Sequence, residues 1–183
     1  MQSVHSSSNI LKFWFEDTKP NFWFKKSQLF DDSVRNHFEP TVEAALNGQL
    51  HAWSNDVDGC LALILVLDQF TRNIYRGVPA AFSGDSQALS LSLQCVTRRF
   101  VEHSNSNYRH FMLMPMMHSE DIATQDQSLP LFKQHTDERT HRVAIKHRNI
   151  IAQFGRFPHR NIILGRNSTE EEIEFLKEPG SSF

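Results

Sequence analysis

Apolar residues recur along the chain with the period of an α-helix, and no convincing strand-turn-strand pattern occurs. The segment from Cys60 to Leu67 is apolar at every position, which predicts a central helix running from Gly59 or Cys60 to Asn73. The whole pattern predicts roughly eight antiparallel helices with short connections. We therefore expect an all-α layered array in a single domain that covers residues 1–183.

Capping residues set the expected helix starts. Ser7 or Ser8 is predicted to cap the first helix, and Ser119 a later one with Glu120 and Asp121 in its first turn, where the helix dipole favours acids. Near the C-terminus, Ser168-x-x-Glu171 has the form of a capping box. The expected helices cover residues 7–15, 31–46, 59–73, 85–101, 108–114, a stretch from 119, 137–154 and 168–176.

Three prolines lie inside helical patterns. Because proline removes a backbone donor and clashes with the preceding turn, Pro40 predicts a kink or break near Phe38. Pro115 is expected to end the helix that starts at Tyr108, and Pro130 to kink or interrupt the next one. Gly48 and Gly155 follow two of the helices and suit a left-handed C-terminal cap.

Composition indicates a globular protein with an aromatic core. The 15 Phe and 3 Trp include the cluster Phe13-Trp14-Phe15, which we interpret as packing between helices. Cys60 and Cys95 have apolar neighbours and are interpreted as small core residues without a disulfide or metal role. The N-terminus has no signal-peptide pattern, and the longest apolar run is too short to cross a bilayer. We expect a cytoplasmic protein that does not contact membranes.

Charge is distributed unevenly although the net charge is only −2. Between Arg139 and Arg166 there are seven basic residues and no acid, and five glutamates follow between Thr169 and Glu178. This pattern is typical either of a basic helix neutralised by an acidic tail or of a surface for an anionic partner. The overall acidity argues against nucleic acid as that partner.

The segment from Phe154 to Arg166, FGRFPHRNIILGR, carries cationic side chains among apolar residues and two glycines. Arginine forks match carboxylate and phosphate geometry, so an organised anion site is expected here. The candidate ligand-binding residues in this segment are Arg156, His159, Arg160, Asn161 and Arg166.

Two further clusters could carry chemistry. Asp68, Arg72 and Arg76 follow one another at i, i+4 spacing on one face of the central helix, which fits either a structural ion pair or a site. His118 stands beside two carboxylates, which fits either an acid–base group or a helix cap. The candidates from the two clusters are Asp68, Arg72, Asn73, Arg76, His118, Glu120 and Asp121, with His118 and Glu120 the first catalytic suspects.

Several kinds of chemistry have no support in the sequence. The HExxH motif, the Walker A loop and GxGxxG are missing, so neither a metal nor another cofactor is expected. Gly84-Asp85-Ser86 imitates part of a nucleophile elbow without its second glycine, and Ser86 is interpreted as a cap. His147 shares a helical face with Ile150 and Ile151 and is interpreted as a hydrogen-bonded core histidine.

Short motifs spread over nearly the whole chain carry a family resemblance. They are Phe13-Trp14-Phe15, Asp68-Gln69-Phe70-x-Arg72-Asn73, Tyr75-Arg76-Gly77, Ala81-Phe82 with Asp85, Met114-Pro115-x-x-His118-Ser119-Glu120-Asp121, His147-Arg148, the segment from Phe154 to Arg166, and Phe175-Leu176 through Gly180-Ser-Ser-Phe183. With these motifs the chain resembles a bacterial and fungal family of TPR-like helical proteins known as domain of unknown function nine-two-four. Residue 71 is Thr where that family usually has proline, and Pro130 is a second departure. The resemblance implies an all-α, TPR-like stack, and it implies no activity, cofactor or catalytic residue.

The leading hypothesis is a pocket between helices that binds a phosphate- or carboxylate-bearing small molecule, with hydrolysis or transfer as the reaction class if the protein is an enzyme. The alternative is a TPR-like module that holds a peptide through its terminal carboxylate. A purely structural network of buried ion pairs also fits the pattern. Oligomeric state and ligand identity are left open by the sequence.

Overall fold

The computed structural model describes residues 3–182, so Met1, Gln2 and the Phe183 end of the last family motif lie outside the described residues. Residues 3–182 contain helices and no strand. The α-helices are α1 (Ser7–Lys12), α2 (Gln28–Leu46), α3 (Val57–Ile64), α4 (Thr71–Ile74), α5 (Asp85–Thr97), α6 (Ser106–Met117), α7 (Ile122–His135), α8 (Glu138–Phe154) and α9 (Glu170–Phe175).

Wide π-helical turns extend α1 over Phe13–Asp17 and join α3 to α4 over Leu65–Phe70. Because α3, its π turn and α4 are continuous, the described chain forms eight α-helical segments, in agreement with the pattern. Short 3₁₀ helices lie at Pro20–Phe22, His51–Asn55, Pro79–Phe82, Phe100–Glu102 and Pro158–Arg160.

The central helix α3–α4 forms the core of the molecule, as the apolar run predicts. Every residue from Gly59 to Thr71 is buried. Helices α1, α2, α5 and α6 pack around it, and α5 to α8 then pack each against the next in chain order. The aromatic clusters fill this core, since Trp14 is fully buried and contacts the rings of Phe70 and Phe111. Within residues 3–182, none of the helices has the length and hydrophobicity that a membrane span requires.

Three predicted caps are wrong. Ser6 rather than Ser7 or Ser8 caps α1, because its side chain accepts from the backbone of the third helical residue. Asp121 rather than Ser119 caps α7, so Glu120 and Asp121 precede the first turn. The C-terminal capping box is Thr169 with Glu172, one residue beyond the prediction.

Other helix limits also differ from the prediction. Helix α2 begins three residues before Asp31, since Ser27 caps it, and α5 ends at Thr97 rather than near residue 101. Gly48 and Gly155 have the predicted left-handed backbone. The sequence pattern predicts the presence of a helix more reliably than its first and last residues. This is because several adjacent side chains can act as the cap.

The prediction that prolines break or end three helices is wrong. Helix α2 continues through Pro40, α6 continues through Pro115 to Met117, and α7 contains Pro130. A proline within a helix costs about 3 kcal/mol, and packing can exceed that cost. In α6 every residue from Phe111 to Met117 is buried, which is the packing that compensates Pro115.

The start of α5 lies directly against the π turn of the central helix. A Cβ atom added to Gly84 would overlap the carbonyl oxygen of Leu67, so only glycine fits there without a shift. This close approach places Asp85, the first residue of α5, beside Arg72.

Candidate functional site

Asp68 lies in the π turn between α3 and α4, and its carboxylate is buried. Three side chains point donors at it. His118 Nδ1 donates to Oδ1 at 2.7 Å, Gln69 Nε2 donates to Oδ2 at 2.5 Å, and Arg72 Nη2 lies 3.4 Å from Oδ1. Such π turns occur frequently at functional sites. The predicted Asp68–Arg72 pair is confirmed, and Gln69 joins it.

His118 is the C-cap residue of α6, where the chain turns towards α7. Gln125 of α7 is fully buried and donates to the carbonyl oxygens of Met117 and Ser119, on either side of His118. The turn is therefore held from both sides. Within residues 3–182 the Nε2 atom of His118 makes no hydrogen bond, whereas Nδ1 is fixed by Asp68.

Two arginines from distant parts of the chain share the carboxylate of Asp85. Arg72 donates to it through Nη1 at 2.8 Å and Nη2 at 3.2 Å, and Arg160 through Nη1 at 3.3 Å. Arg160 also donates to the carbonyl oxygen of His118 at 3.0 Å. Its guanidinium lies over the rings of Phe82 and Phe157, at 4.8 and 4.7 Å from their centroids.

The pair Asp68–His118 is the centre of this cluster, so we call it the dyad site. It consists of Asp68, Arg72, Asp85, His118 and Arg160. Two of its side chains are buried and the other three are partly exposed. The side chain of Asp68 is 1% exposed and that of Arg160 7%, whereas His118 is 15%, Arg72 20% and Asp85 25% exposed. Two aspartates and two arginines balance each other in charge.

The surroundings of the dyad site shift the pKa of Asp68, Arg72 and Arg160. Burial opposes the charge of Arg72, but the carboxylates of Asp68 and Asp85 outweigh it and raise the pKa of Arg72. Burial alone would raise the pKa of Asp68, but the charges and hydrogen bonds of His118 and Arg72, with Gln69, outweigh it and hold that pKa far below its ordinary value. Burial and the nearby cation of Arg72 lower the pKa of Arg160 to about 10. Asp68 is therefore ionised near neutral pH and can orient and stabilise a histidine.

Two more histidines lie behind the dyad site. The ring of His147 is 6.4 Å from that of His118, and both His147 and His159 pack against Phe157 at 5.7 Å. Burial is the main cause that lowers the pKa of His147 to about 3 and that of His159 to about 4. His147 is buried, with Nδ1 2.9 Å from the carbonyl oxygen of Val143, so its interpretation as a hydrogen-bonded core histidine is confirmed.

A second network holds the segment that carries Arg160. Arg166 donates to both oxygens of Glu120, at 2.7 and 3.0 Å, and Glu120 also accepts from the backbone N–H of Phe157 at 2.8 Å. Arg166 also donates through Nε to Asn161 Oδ1 and through Nη2 to the carbonyl oxygen of Phe157. The pair Glu120–Arg166 therefore fixes the backbone on which Arg160 stands.

Glu172 of the acidic tail binds the same segment. Arg156 donates to both oxygens of Glu172, at 2.7 and 2.8 Å, and Asn161 Nδ2 donates to Glu172 at 3.2 Å. Glu172 is buried and also accepts from the N–H of Thr169 as part of the capping box of α9. Within residues 3–182 the ion pair Arg156–Glu172 is the one that joins the basic run to the acidic tail. The other ion pairs of the run go to Glu138, Asp126, Asp85 and Glu120.

Asn73 and Arg76 belong to a separate cluster. Both donate to the buried carboxylate of Asp31 in α2, Asn73 at 2.8 Å and Arg76 at 2.5 and 2.8 Å. Asp31 is in the first turn of that helix, so this group ties α2 to α4. Asp121 is occupied as the cap of α7.

The structure thus sorts the predicted residues into groups. Asp68, Arg72, His118 and Arg160 meet in the dyad site, and Glu120, Asn161, Arg156 and Arg166 form the adjoining network. Sequence reasoning missed acidic and amide partners, although Gln69 and Asp85 both belong to matching family motifs. The missed partners are Asp31, Gln69, Asp85, Gln125 and Glu172.

Two grooves lie away from the dyad site. One, of about 310 Å³, is lined by Arg156 and by Glu171 and Glu172, and the other, of about 170 Å³, has an apolar floor that includes Leu63 and Leu91. Among residues 3–182, no group of three or more His, Cys, Asp or Glu side chains is arranged to hold a metal ion.

Fold and site define an all-helical protein with a buried Asp–His pair flanked by arginines. The chain belongs to the family described as bacterial proteins of unknown function, DUF924, whose profile matches residues 10–180. It is similar to the solved structure of a protein of unknown function from Agrobacterium tumefaciens, with 34% identity and a TM-score of 0.89 over 94% of this chain and 97% of that one. No curated protein matches the chain.

Proposed function

We propose that the dyad site binds a small phosphate- or carboxylate-bearing molecule and that His118 acts on it as a general acid or base, with hydrolysis or group transfer as the reaction class. The observation that carries this proposal is the 2.7 Å hydrogen bond between His118 Nδ1 and the buried Asp68. A buried carboxylate at Nδ1 fixes the imidazole tautomer that leaves Nε2 able to accept a proton.

The arginines support an anionic ligand. Both guanidinium groups share the carboxylate of Asp85, so a second anion could take over part of that coordination without leaving either cation unpaired. Arg160 has a buried Nε that donates to no group of the described chain, which leaves it one unused donor. The partial exposure of Arg72, Asp85 and His118 gives a small molecule access to these groups.

Arg156 and Arg166, in contrast, support this site indirectly. Their donors are directed at Glu172, Glu120 and nearby carbonyl oxygens, and each pair is bidentate. We assign both arginines to positioning the 154–166 segment. The groove beside Arg156 also contains Glu171 and Glu172, whose charges oppose the terminal carboxylate that a peptide-binding module would have to accept there.

Anion binding can be tested by thermal unfolding in phosphate or sulfate against chloride at equal ionic strength. We expect phosphate at one hundred times its Kd to stabilise the wild type by about 2.7 kcal/mol. Arg160→Lys should lose most of this effect, because one ammonium cannot replace a guanidinium fork. Arg148→Ala, which removes a pair with Asp126 on the outer face of α7 and α8, is the matched control. A wild type that responds equally to all three salts would overturn the proposal.

Acid–base catalysis can be tested with p-nitrophenyl phosphate as the probe. Turnover should be lost in His118→Gln and fall roughly 10²–10⁴-fold in Asp68→Asn, whose amide no longer holds the tautomer. Nitrogen NMR of His118 should show the Nδ1-protonated tautomer in the wild type and a mixture in Asp68→Asn. Turnover that is equal in the wild type and His118→Gln would contradict the role of His118.

A further inference from the structure

A pair of thiols in the core lies outside the dyad site. Cys60 of α3 and Cys95 of α5 are both fully buried and free, and their Sγ atoms are 3.3 Å apart. They are 35 positions apart in the sequence, and the contact joins two neighbouring helices. The sequence pattern alone presents them only as two apolar core residues.

We propose that Cys60 and Cys95 are a redox-sensitive modification site, which a peroxide converts to a disulfide between α3 and α5. A disulfide bond is about 2.0 Å long, so the two sulfur atoms need to approach by about 1.3 Å. Neither thiol has to travel across the core to meet the other. This inference is independent of the function proposed for the dyad site.

The chemistry requires one peroxide molecule. The Cys60 thiolate attacks one peroxide oxygen, so that an S–O bond forms, the O–O bond breaks and hydroxide leaves to become water with a proton from the solvent. The Cys95 sulfur then attacks the Cys60 sulfur, the S–S bond forms, the S–O bond breaks, and the hydroxide leaves as water with the Cys95 proton. Two thiols and one hydrogen peroxide thus give one disulfide and two waters.

The surroundings of the pair favour Cys60 as the first nucleophile. The hydrogen bond from Cys95 is the largest cause that lowers the pKa of the Cys60 thiol, whereas the contact with Cys60 and burial raise the pKa of Cys95. The cation of Arg98 supports a thiolate on either sulfur, and Asp56 opposes one on Cys60. Because both side chains are buried, peroxide reaches the thiols only when the core opens locally.

The test uses the wild-type protein under native conditions. After treatment with hydrogen peroxide and removal of the excess by catalase, the protein is unfolded, alkylated with iodoacetamide and weighed intact. We expect a monomer that has lost the mass of two hydrogen atoms and carries no alkyl group, and dithiothreitol should restore both alkylation sites. Cys60→Ser and Cys95→Ser should each retain one thiol that is alkylated or trapped as a sulfenic acid.

A second readout is the thermal midpoint of oxidised against reduced wild type. Closing this loop constrains the unfolded chain, so the midpoint should rise by roughly 10 °C. Two alkylated cysteines after peroxide treatment, or separate oxidation of each sulfur to sulfonate, would each overturn the proposal.

Discussion

At the scale of single residues, the carboxylates of Asp68 and Glu120 have different roles. Asp68 is enclosed, and it fixes one ring nitrogen of His118 while the other nitrogen has no partner in the described chain. Glu120 is about a quarter exposed and is saturated by Arg166 and the N–H of Phe157. Its pKa lies below the ordinary value although burial opposes this, because Arg166 and that N–H bind the charged form. Glu120 is therefore best understood as a support of the backbone.

The exchange Glu120→Ala tests this assignment. It leaves the guanidinium of Arg166 and the N–H of Phe157 without their main acceptor, and we expect the free energy of unfolding to fall by about 2–3 kcal/mol. Urea unfolding at pH 7.5 measures the loss. In the control, Glu174→Ala removes an exposed pair with Lys177 and should cost under about 0.5 kcal/mol. Equal losses in the two variants would contradict a supporting role for Glu120.

Part of the site could be predicted residue by residue. The spacing of Asp68 and Arg72 indicates their pairing, because the helical period alone places them together. The partnership of Asp68 with His118, 50 positions away, depends on how α6 packs against the π turn, and no local pattern contains that information. The same holds for Asp85 and Arg160, which are 75 positions apart.

At the level of elements, the π turn and the start of α5 build the dyad site together. The turn carries Asp68, and Gly84 lets α5 approach close enough for Asp85 to reach Arg72. The helices themselves follow from apolar periodicity, whereas caps, prolines and the π turn do not. Several polar side chains stand near each helix end, and packing decides which one acts as the cap. Likewise Pro115 is tolerated because its neighbours are buried.

The exchange Gly84→Ala tests the close approach. The new methyl group meets the backbone oxygen of Leu67, which cannot move away as a flexible side chain could, so α5 must shift at a cost of about 3 kcal/mol. Gly48→Ala is the control, since it has a left-handed backbone but open space around it, and should cost about 1 kcal/mol. Chemical denaturation measures both losses. A loss at Gly84 no larger than at Gly48 would show that α5 does not need this contact.

At the scale of the whole molecule, the nearly neutral chain pairs many of its charged side chains with one another. Asp31 with Arg76, Asp85 with Arg72, and Glu172 with Arg156 each join separate elements. In the described chain Arg156 is the one residue of the basic run that pairs with the acidic tail. Composition shows that such pairing is possible, but only the fold selects the partners. Burial then leaves several histidines in surroundings that oppose their protonation.

These histidines make the stability of the molecule depend on pH. Burial is the main cause that lowers the pKa of His147 to about 3 and those of His110 and His159 to about 4, from 6.5 in the unfolded chain. The neutral histidines contribute fully to the free energy of unfolding above pH 6.5. This contribution is lost as the pH falls towards 4, because the unfolded chain then binds more protons than the folded one. Within this window, each of these histidines lowers the free energy of unfolding by roughly 1.4 kcal/mol for every pH unit of acidification.

We therefore expect the free energy of unfolding to fall steeply between pH 6.5 and 5.0, before the aspartates and glutamates titrate in the unfolded chain. Urea unfolding at half-unit steps gives the slope, and His147→Gln should reduce it by roughly one third, because it removes one of the three histidines whose pKa is lowered most. At pH 7.5 the histidines are mostly neutral in both states, so the same variant there reports the cost of altered packing alone. A slope that His147→Gln leaves unchanged would mean that His147 is protonated in the folded protein, and a core that admits that charge would have to be hydrated around Phe157.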